Sequence, residues 1–218
     1  MIEGNFIVIE GIDGAGTSTQ AVEMKKRFSG LGLPAHVTAE PSSGPIGSII
    51  RQILTGRIVV PQHHGVSPPS WTTMSLLFAA DRQDHVESEV VPNLRDGVNI
   101  ICDRYIYSSI VYQSASSEDS ESREWIRMIN RYARKPDLVV YLKVSPDIAV
   151  RRRRERDRHI EIYDSPEFQQ RLAVAYDKIE EQFPDVNIVR VNGDHSVEEV
   201  AEKCWFHIEK MRAGGAPA

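Results

Sequence analysis

Apolar residues in this chain follow two rhythms, and the alternation between them predicts the architecture. Phe6-Ile7-Val8-Ile9 is an unbroken apolar run, the pattern of a strand buried on both faces of a parallel sheet. Similar runs over 98–102, 138–144 and 186–191, with a shorter one over 35–39, bring the strands to five. Between them apolar positions recur at helical intervals. Residues 20–31 carry Ala21, Met24 and Phe28 on one face, with Gly32 as the stop. The same spacing predicts helices over 46–54, 71–94, 121–135, 146–156, 167–183 and 197–211. Strands alternating with helices give an α/β fold, a five-stranded parallel sheet covered by helices on both faces in three layers.

The segments that break these rhythms are short on apolar content. Glu40-Pro41-Ser42-Ser43-Gly44-Pro45 is turn-rich, and its prolines keep it out of helix. Residues 56–70 read as a long loop of the functional or mobile kind, with His63-His64 solvated rather than metal-bound. The 218 residues suit one domain over 1–212, with 213–218 as a disordered tail. An apolar share of 41% and a charged share of 26% fit a soluble globular protein, and a net charge of −5 argues against a nucleic-acid partner. Cys102 and Cys204 are the only cysteines and sit at no zinc spacing. With neither a signal peptide nor a run of about 18 apolar residues, a cytoplasmic, reduced setting away from membranes is expected.

Candidate chemistry begins directly after the first strand. In Gly11-Ile12-Asp13-Gly14-Ala15-Gly16-Thr17-Ser18-Thr19, backbone N–H groups and a helix N-terminus form a cradle for phosphate oxygens. Gly11 to Ser18 has the G-x-x-x-x-G-K-[ST] spacing of a Walker A loop, with Thr17 in place of the lysine. Ser18 is placed to put its hydroxyl on Mg²⁺; the bland alternative is a glycine-rich turn without a ligand. Asp103-Arg104 at a strand end suits Mg²⁺ at Asp103 and a bidentate phosphate clamp at Arg104, or merely a local ion pair. Phe78 and Arg82 stand one helical turn apart and can share a pocket, where a ring and a guanidinium suit a nucleobase. The alternative is a core phenylalanine and a surface arginine. Arg151, Arg152, Arg153, Arg154, Arg156 and Arg158 are the densest charge in the chain. Interruption by Glu155, Asp157 and Glu161 weakens an RNA-patch reading and favours a lid, about 151–164, closing planar donors over triphosphate.

Together these motifs resemble the thymidylate (dTMP) kinases, a family of P-loop nucleoside monophosphate kinases. The likeness covers nearly the whole chain and rests chiefly on Leu77-Phe78-Ala79-Ala80-Asp81-Arg82 and on Asp103-Arg104-Tyr105 with Ser108-Ser109 and Tyr112-Gln113. Glu40-Pro41, Ile50-Arg51, Pro136-Asp137-Leu138 and the pattern Phe168, Arg171, Tyr176 extend it. The resemblance implies the three-layer P-loop NTPase fold with an Arg-rich lid, and transfer of the ATP γ-phosphoryl group to dTMP, giving dTDP and ADP for dTTP synthesis. It also implies Mg²⁺ as cofactor, a homodimer, and a cis peptide before Pro41; helices over 71–94 and 105–113 hold more apolar positions than one sheet face needs and are the expected pairing surfaces. Phe78 would stack on thymine and Arg82 bond its edge, with Arg51 and Arg104 on the acceptor phosphate. Asp13 would lie near the sugar hydroxyl and that phosphate. Glu40, Pro41, Tyr105, Ser108, Ser109 and Gln113 would complete the dTMP pocket, Tyr105 standing where a 2′-hydroxyl would clash. ATP would rest on Gly11, Ile12, Asp13, Gly14, Ala15, Gly16, Thr17, Ser18 and Thr19, with Arg152 flat on adenine. Ser18 and Asp103 would serve Mg²⁺.

Thr17 is the departure from the family pattern. Loss of one charge-assisted donor from a developing oxyanion costs about 2.7–4 kcal/mol, or about 10²–10³ in rate. An arginine delivered to the transferring group is worth about 10³–10⁵. The compensating cation is therefore expected among Arg154, Arg156 and Arg158. Two readings compete with an active dTMP kinase: a catalytically dead nucleotide-binding protein, and a kinase for another nucleotide such as dUMP.

Overall fold

The computed structural model describes residues 3–62, 65–117, 121–156 and 165–214. β1 (Phe6–Glu10) lies in the middle of its sheet, where a strand apolar on both faces belongs. The chain then runs through α1 (Thr17–Gly30), β2 (Ala35–Ala39), α2 (Pro45–Leu54), β3 (Val60–Gln62), β4 (Gly65–Ser67) and α3 (Trp71–His85). Next come α4 (Val91–Arg95), β5 (Asn99–Asp103), α5 (Ile106–Ala115), α6 (Ser122–Ile129) and β6 (Leu138–Lys143). α7 (Pro146–Arg156), α8 (Pro166–Tyr176), α9 (Ile179–Gln182), β7 (Ile188–Asn192) and α10 (Val197–Gly214) complete the order.

Five parallel strands stand in the order β2-β5-β1-β6-β7. From β1 the chain crosses in one direction to β2 and afterwards moves the other way. Right-handed crossovers send α1 to one face and the helices between β2 and β7 to the other. After the last strand α10 packs back against α1. Phe6, Ile7, Val8, Ile9, Ile100, Ile101, Val139 and Val140 are wholly buried, and each such side chain contributes about 1.5–3 kcal/mol. The register has a consequence for the site. Ala39, Ile9 and Asp103 are level across β2, β1 and β5, so Glu40 and Arg104 leave the sheet beside Glu10, the last residue of β1.

The helices depart from their expected bounds in several places. α1 begins at Thr17 because Gly16, at φ 92°, closes the turn and leaves the polar residues after it as the first helical turn. The helix expected over 71–94 is split by a wide turn, Val86–Val90. Pro92 has no N–H and its ring excludes the carbonyl of Ser88 four residues back, so the ladder widens there. The helix expected over 121–135 ends at Ile129, and the one over 167–183 is interrupted between Tyr176 and Ile179. Residues 56–70, expected as a loop, hold an antiparallel hairpin that pairs Val60 with Ser67. α5, expected to offer a subunit surface, is covered by α3, α6 and α8, with Tyr107, Ile110, Val111 and Tyr112 buried. The Glu40–Pro41 bond is cis. Ala213 and Gly214, expected in a tail, close α10, while 215–218, His63, His64 and 157–164 of the expected lid lie outside the described residues.

Gly14 joins the loop after β1 to α7. Its φ is 88°, and a Cβ there would stand 2.3 Å from the carbonyl oxygen of Ala149. Gly14→Ala is expected to cost at least about 2 kcal/mol, a fall in Tm of roughly 4–8 °C. A melting curve that superposes on wild type would show that loop and helix do not meet this closely.

Candidate active site

The flush carboxyl ends of β1 and β5 form the floor of the site. After Glu10 the chain turns through two left-handed glycines, Gly14 and Gly16, into α1. No side chain caps α1, which leaves its first N–H groups for an anion. Thr17 and Ser18 open that helix. Ser18 Oγ donates to Asp103 Oδ2, and Asp103 Oδ1 is buried without a hydrogen-bond partner among the described residues.

A cleft of about 260 Å³ extends from the loop. The structure brings to it Asp13 from the loop, Glu40 and Pro41 from the turn after β2, and Arg51 from α2. Phe78 and Arg82 of α3 face Arg104, Tyr105, Ser108, Ser109 and Gln113 at the start of α5. Leu54 and Tyr112 also line it and were not anticipated. Phe78 packs with Ile50, Ile53, Leu54 and Met74 in a small cluster separate from the main core, so it walls the cleft instead of filling the interior. Arg82 is only 1% exposed, which overturns the surface alternative. It donates to Asn130 Oδ1 and to Ser109 Oγ (2.8 Å), pairs with Glu40 Oε2 (2.7 Å), and lies over the Tyr105 ring at 5.2 Å. Arg51 donates to the carbonyls of Pro41 and Ser42, bracing that turn from its outer side.

Arg104 has φ 70°, a left-handed conformation that costs a non-glycine residue about 1–2 kcal/mol. The turn aims its guanidinium back across β1, where it donates to Asp13 Oδ1 (2.5 Å) and to the Tyr112 hydroxyl (2.7 Å). Its ion-pair partner is thus Asp13, not the neighbouring Asp103. Gln169 of α8, which the sequence pattern gave no reason to single out, donates to Asp13 Oδ2 at 2.8 Å.

A second cavity of about 470 Å³ adjoins the loop, lined by Gly14, Ala15, Gly16, Thr19, Arg152 and residues near Gly193. Arg152 donates to the carbonyls of Gly193 (2.8 Å) and His195 (3.0 Å). Gly11 and Ile12 are buried beneath the loop and line neither cavity. Arg154 is exposed on α7 and is brought to neither, Arg156 ends that helix, and Arg158 lies outside the described residues.

Glu10 is the site residue that the apolar run of β1 concealed. Wholly buried, its carboxylate accepts from the N–H groups of Tyr105 (2.8 Å) and Ser108 (3.2 Å), from Ser108 Oγ (2.6 Å) and from the Tyr176 hydroxyl (2.9 Å). It therefore caps α5 from across the sheet, where Tyr105 offers no side-chain cap of its own. Ser108, expected to face a nucleotide, directs its hydroxyl to Glu10 instead. Burial pushes the Glu10 carboxyl up to about 7, against the pull of Ser108, Arg104, Tyr176 and Tyr105.

Over residues 9–204 the chain matches the family model for thymidylate kinase. A Pyrococcus abyssi protein named "Probable thymidylate kinase" is 37% identical over 201 residues, which span 92% of this chain and 94% of that one. A Methanocaldococcus jannaschii protein of the same name is 36% identical over 211 residues, 97% of this chain and 99% of its own. The solved thymidylate kinase structure from Candida albicans, at 26% identity, superposes with a TM-score of 0.79 over 96% of this chain and 93% of its own.

The Glu10 carboxyl makes a pH-dependent contribution. Its folded value of about 7 lies above the ordinary 4.5, so the stability it confers is full below pH 4.5 and is lost as pH rises through 7. Glu10→Gln removes this dependence. Between about pH 5 and pH 8, urea unfolding should show the variant gaining on wild type by on the order of 2 kcal/mol. A difference that stays constant with pH would mean that Glu10 titrates normally.

Proposed function

The chain belongs to the thymidylate kinase family and phosphorylates dTMP from ATP, and from that premise we propose how its residues divide the work. The catalytically dead reading and the dUMP reading are not favoured by these likenesses. What carries the division is convergence: the residues expected to hold dTMP line one cleft, and that cleft opens from the expected phosphate loop.

In this reading thymine lies between Phe78 and Arg82. Arg82 Nε and Gln113 Oε1 are buried without hydrogen-bond partners among the described residues, a donor and an acceptor on residues that line the same cleft. That pair suits the adjoining carbonyl and N–H of the thymine edge. Arg51 and Arg104 grip the acceptor phosphate, and Asp13, oriented by Arg104 and Gln169, stands near it and the sugar hydroxyl. ATP phosphates rest on residues 11–19, with adenine against Arg152 in the second cavity. An oxygen of the dTMP phosphate forms a bond to the γ-phosphorus while the bond to the β,γ-bridging oxygen breaks, leaving ADP. The protein supplies alignment and charge stabilisation. Ser18 and Asp103, with its partnerless buried oxygen, fit a hard cation. Mg²⁺ bound there would neutralise charge on the ATP phosphates.

A single domain over 1–212, a homodimer using exposed Leu76 of α3, and a cytoplasmic setting complete the proposal. No described helix is long and apolar enough to cross a membrane.

Two measurements test the division of labour. Phe78→Ala should raise the KM for dTMP by about tenfold, the worth of a lost stacking partner, and leave the KM for ATP nearly unchanged. Equal shifts in both would move the base elsewhere. For the transferring group, one of Arg154, Arg156 and Arg158 enters on lid closure and takes the role that Thr17, without charge, cannot. Its change to Ala should lower kcat by about 10²–10³ with little effect on the dTMP KM, and Thr17→Lys should restore part of the loss. Near-normal kcat in all three Ala variants, read by coupled ADP release, would end the compensation idea.

A further inference from the structure

α3 presents Asp81, Arg82 and His85 on one buried face. Asp81 accepts from Ser42 N–H (2.7 Å) and Ser42 Oγ (2.6 Å), which fastens the turn after β2. The same turn carries Glu40, whose carboxylate is enclosed between the other two residues. Oε2 lies 2.7 Å from an Arg82 terminal nitrogen, and Oε1 lies 3.3 Å from His85 Nδ1. The imidazole is held from behind as well. His85 Nε2 is 2.8 Å from Thr38 Oγ1 of β2 and 3.8 Å from Glu89, which in turn meets His36 at 2.7 Å.

We propose that His85 is a positioning residue for base recognition, acting through Glu40 on Arg82; this rests on the reading of the cleft as the dTMP site. Both terminal nitrogens of Arg82 already have partners, Asn130 on one and Ser109 and Glu40 on the other, while Nε is buried with no hydrogen-bond partner among the described residues and can serve a ligand carbonyl. A carboxylate beside a guanidinium favours the bidentate fork, with one oxygen on each of two N–H groups. Glu40 does not form it, because His85 claims its second oxygen. Without that claim the buried Oε1 has no partner, and the nearest cure is a turn of the carboxylate onto Arg82 Nε. The N–H that the base needs would then be taken. His85 keeps Arg82 available by sharing Glu40.

The test is steady-state kinetics on His85→Leu and His85→Asn, with dTMP affinity measured by direct titration and folding by thermal melt. His85→Leu should raise both the KM and the Kd for dTMP about tenfold, with the KM for ATP and kcat at saturation within about twofold of wild type. His85→Asn, which keeps a donor near the Nδ1 position, should recover most of that loss. Adding Glu40→Gln to His85→Leu should also recover dTMP affinity, since an amide does not compete for the guanidinium as a carboxylate does. If His85→Leu does not fold, His85→Gln reaches Thr38 but places no donor on Glu40, and the same tenfold loss is expected. A folded variant with unchanged dTMP affinity, or with ATP affected equally, overturns the inference. Wild-type protein inactive on dTMP would instead overturn the reading of the cleft.

Discussion

Two backbone hydrogen bonds determine where the chemistry sits: Arg104 N–H to the Ile9 carbonyl (2.9 Å) and Glu40 N–H to the Asp103 carbonyl (3.0 Å). They carry the parallel ladder one residue past the regular strands and fix the exits of β1, β2 and β5 at one level. The residue after each of these level positions is charged: Glu10, the last of β1, with Glu40 and Arg104, the first beyond β2 and β5. Two of them, Glu10 and Glu40, have almost no access to water, and a buried charge without partners is strongly destabilising. The partners they require come from elements distant in sequence, α3, α5 and α8. Compensation of these charges and assembly of the site are thus one process.

The three networks differ in what they do. Around Glu10 the carboxylate is fully served by donors, and the result is a fixed start for α5. Around Asp13 the partners are Arg104 and Gln169, so the loop after β1 is tied to the end of β5 and to α8. Around Glu40 the service stays incomplete: Oε2 meets Arg82 as an ion pair without a hydrogen bond, and Arg82 Nε has no partner among the described residues. Groups left unsatisfied in an otherwise satisfied interior are where a ligand gains most, because the apo protein has already borne the desolvation.

Much of this was legible in the sequence, and the limits are physical. Gly14 and Gly16 are local signals, since a left-handed turn before a helix needs glycine wherever it occurs. Phe78 and Arg82 were legible through their helical spacing, but the depth of Arg82 was not: burial of a guanidinium depends on Glu40, Ser109 and Asn130, none of them neighbours in sequence. Glu10 escaped notice because a single carboxylate closing an apolar run reads as the end of a strand. The widened turn before Pro92 was missed because helical periodicity continues across it on both sides. The hairpin in 56–70 is too short for its alternation to rise above turn composition.

The way α7 is rooted bears on the missing loop lysine. At its start the helix is pinned, because Ala149 lies against Gly14 with no room for a side chain between them. One turn later Arg152 is tied to the carbonyls of Gly193 and His195. Residues up to 152 are therefore fastened to the phosphate loop and to the segment after β7, and cannot swing without breaking those contacts. A cation that arrives only on closure has to come from beyond this anchor. Arg151 precedes it, and Arg152 is itself the anchor. A charge to replace the one that Thr17 lacks would then come from the stretch beyond it, where Arg154 is exposed on α7 and free of both cavities. Under the proposed closure, delivering that charge late would have a physical advantage over a fixed lysine: the site would stay less positive until both nucleotides were bound, and water would be excluded as the arginine arrived.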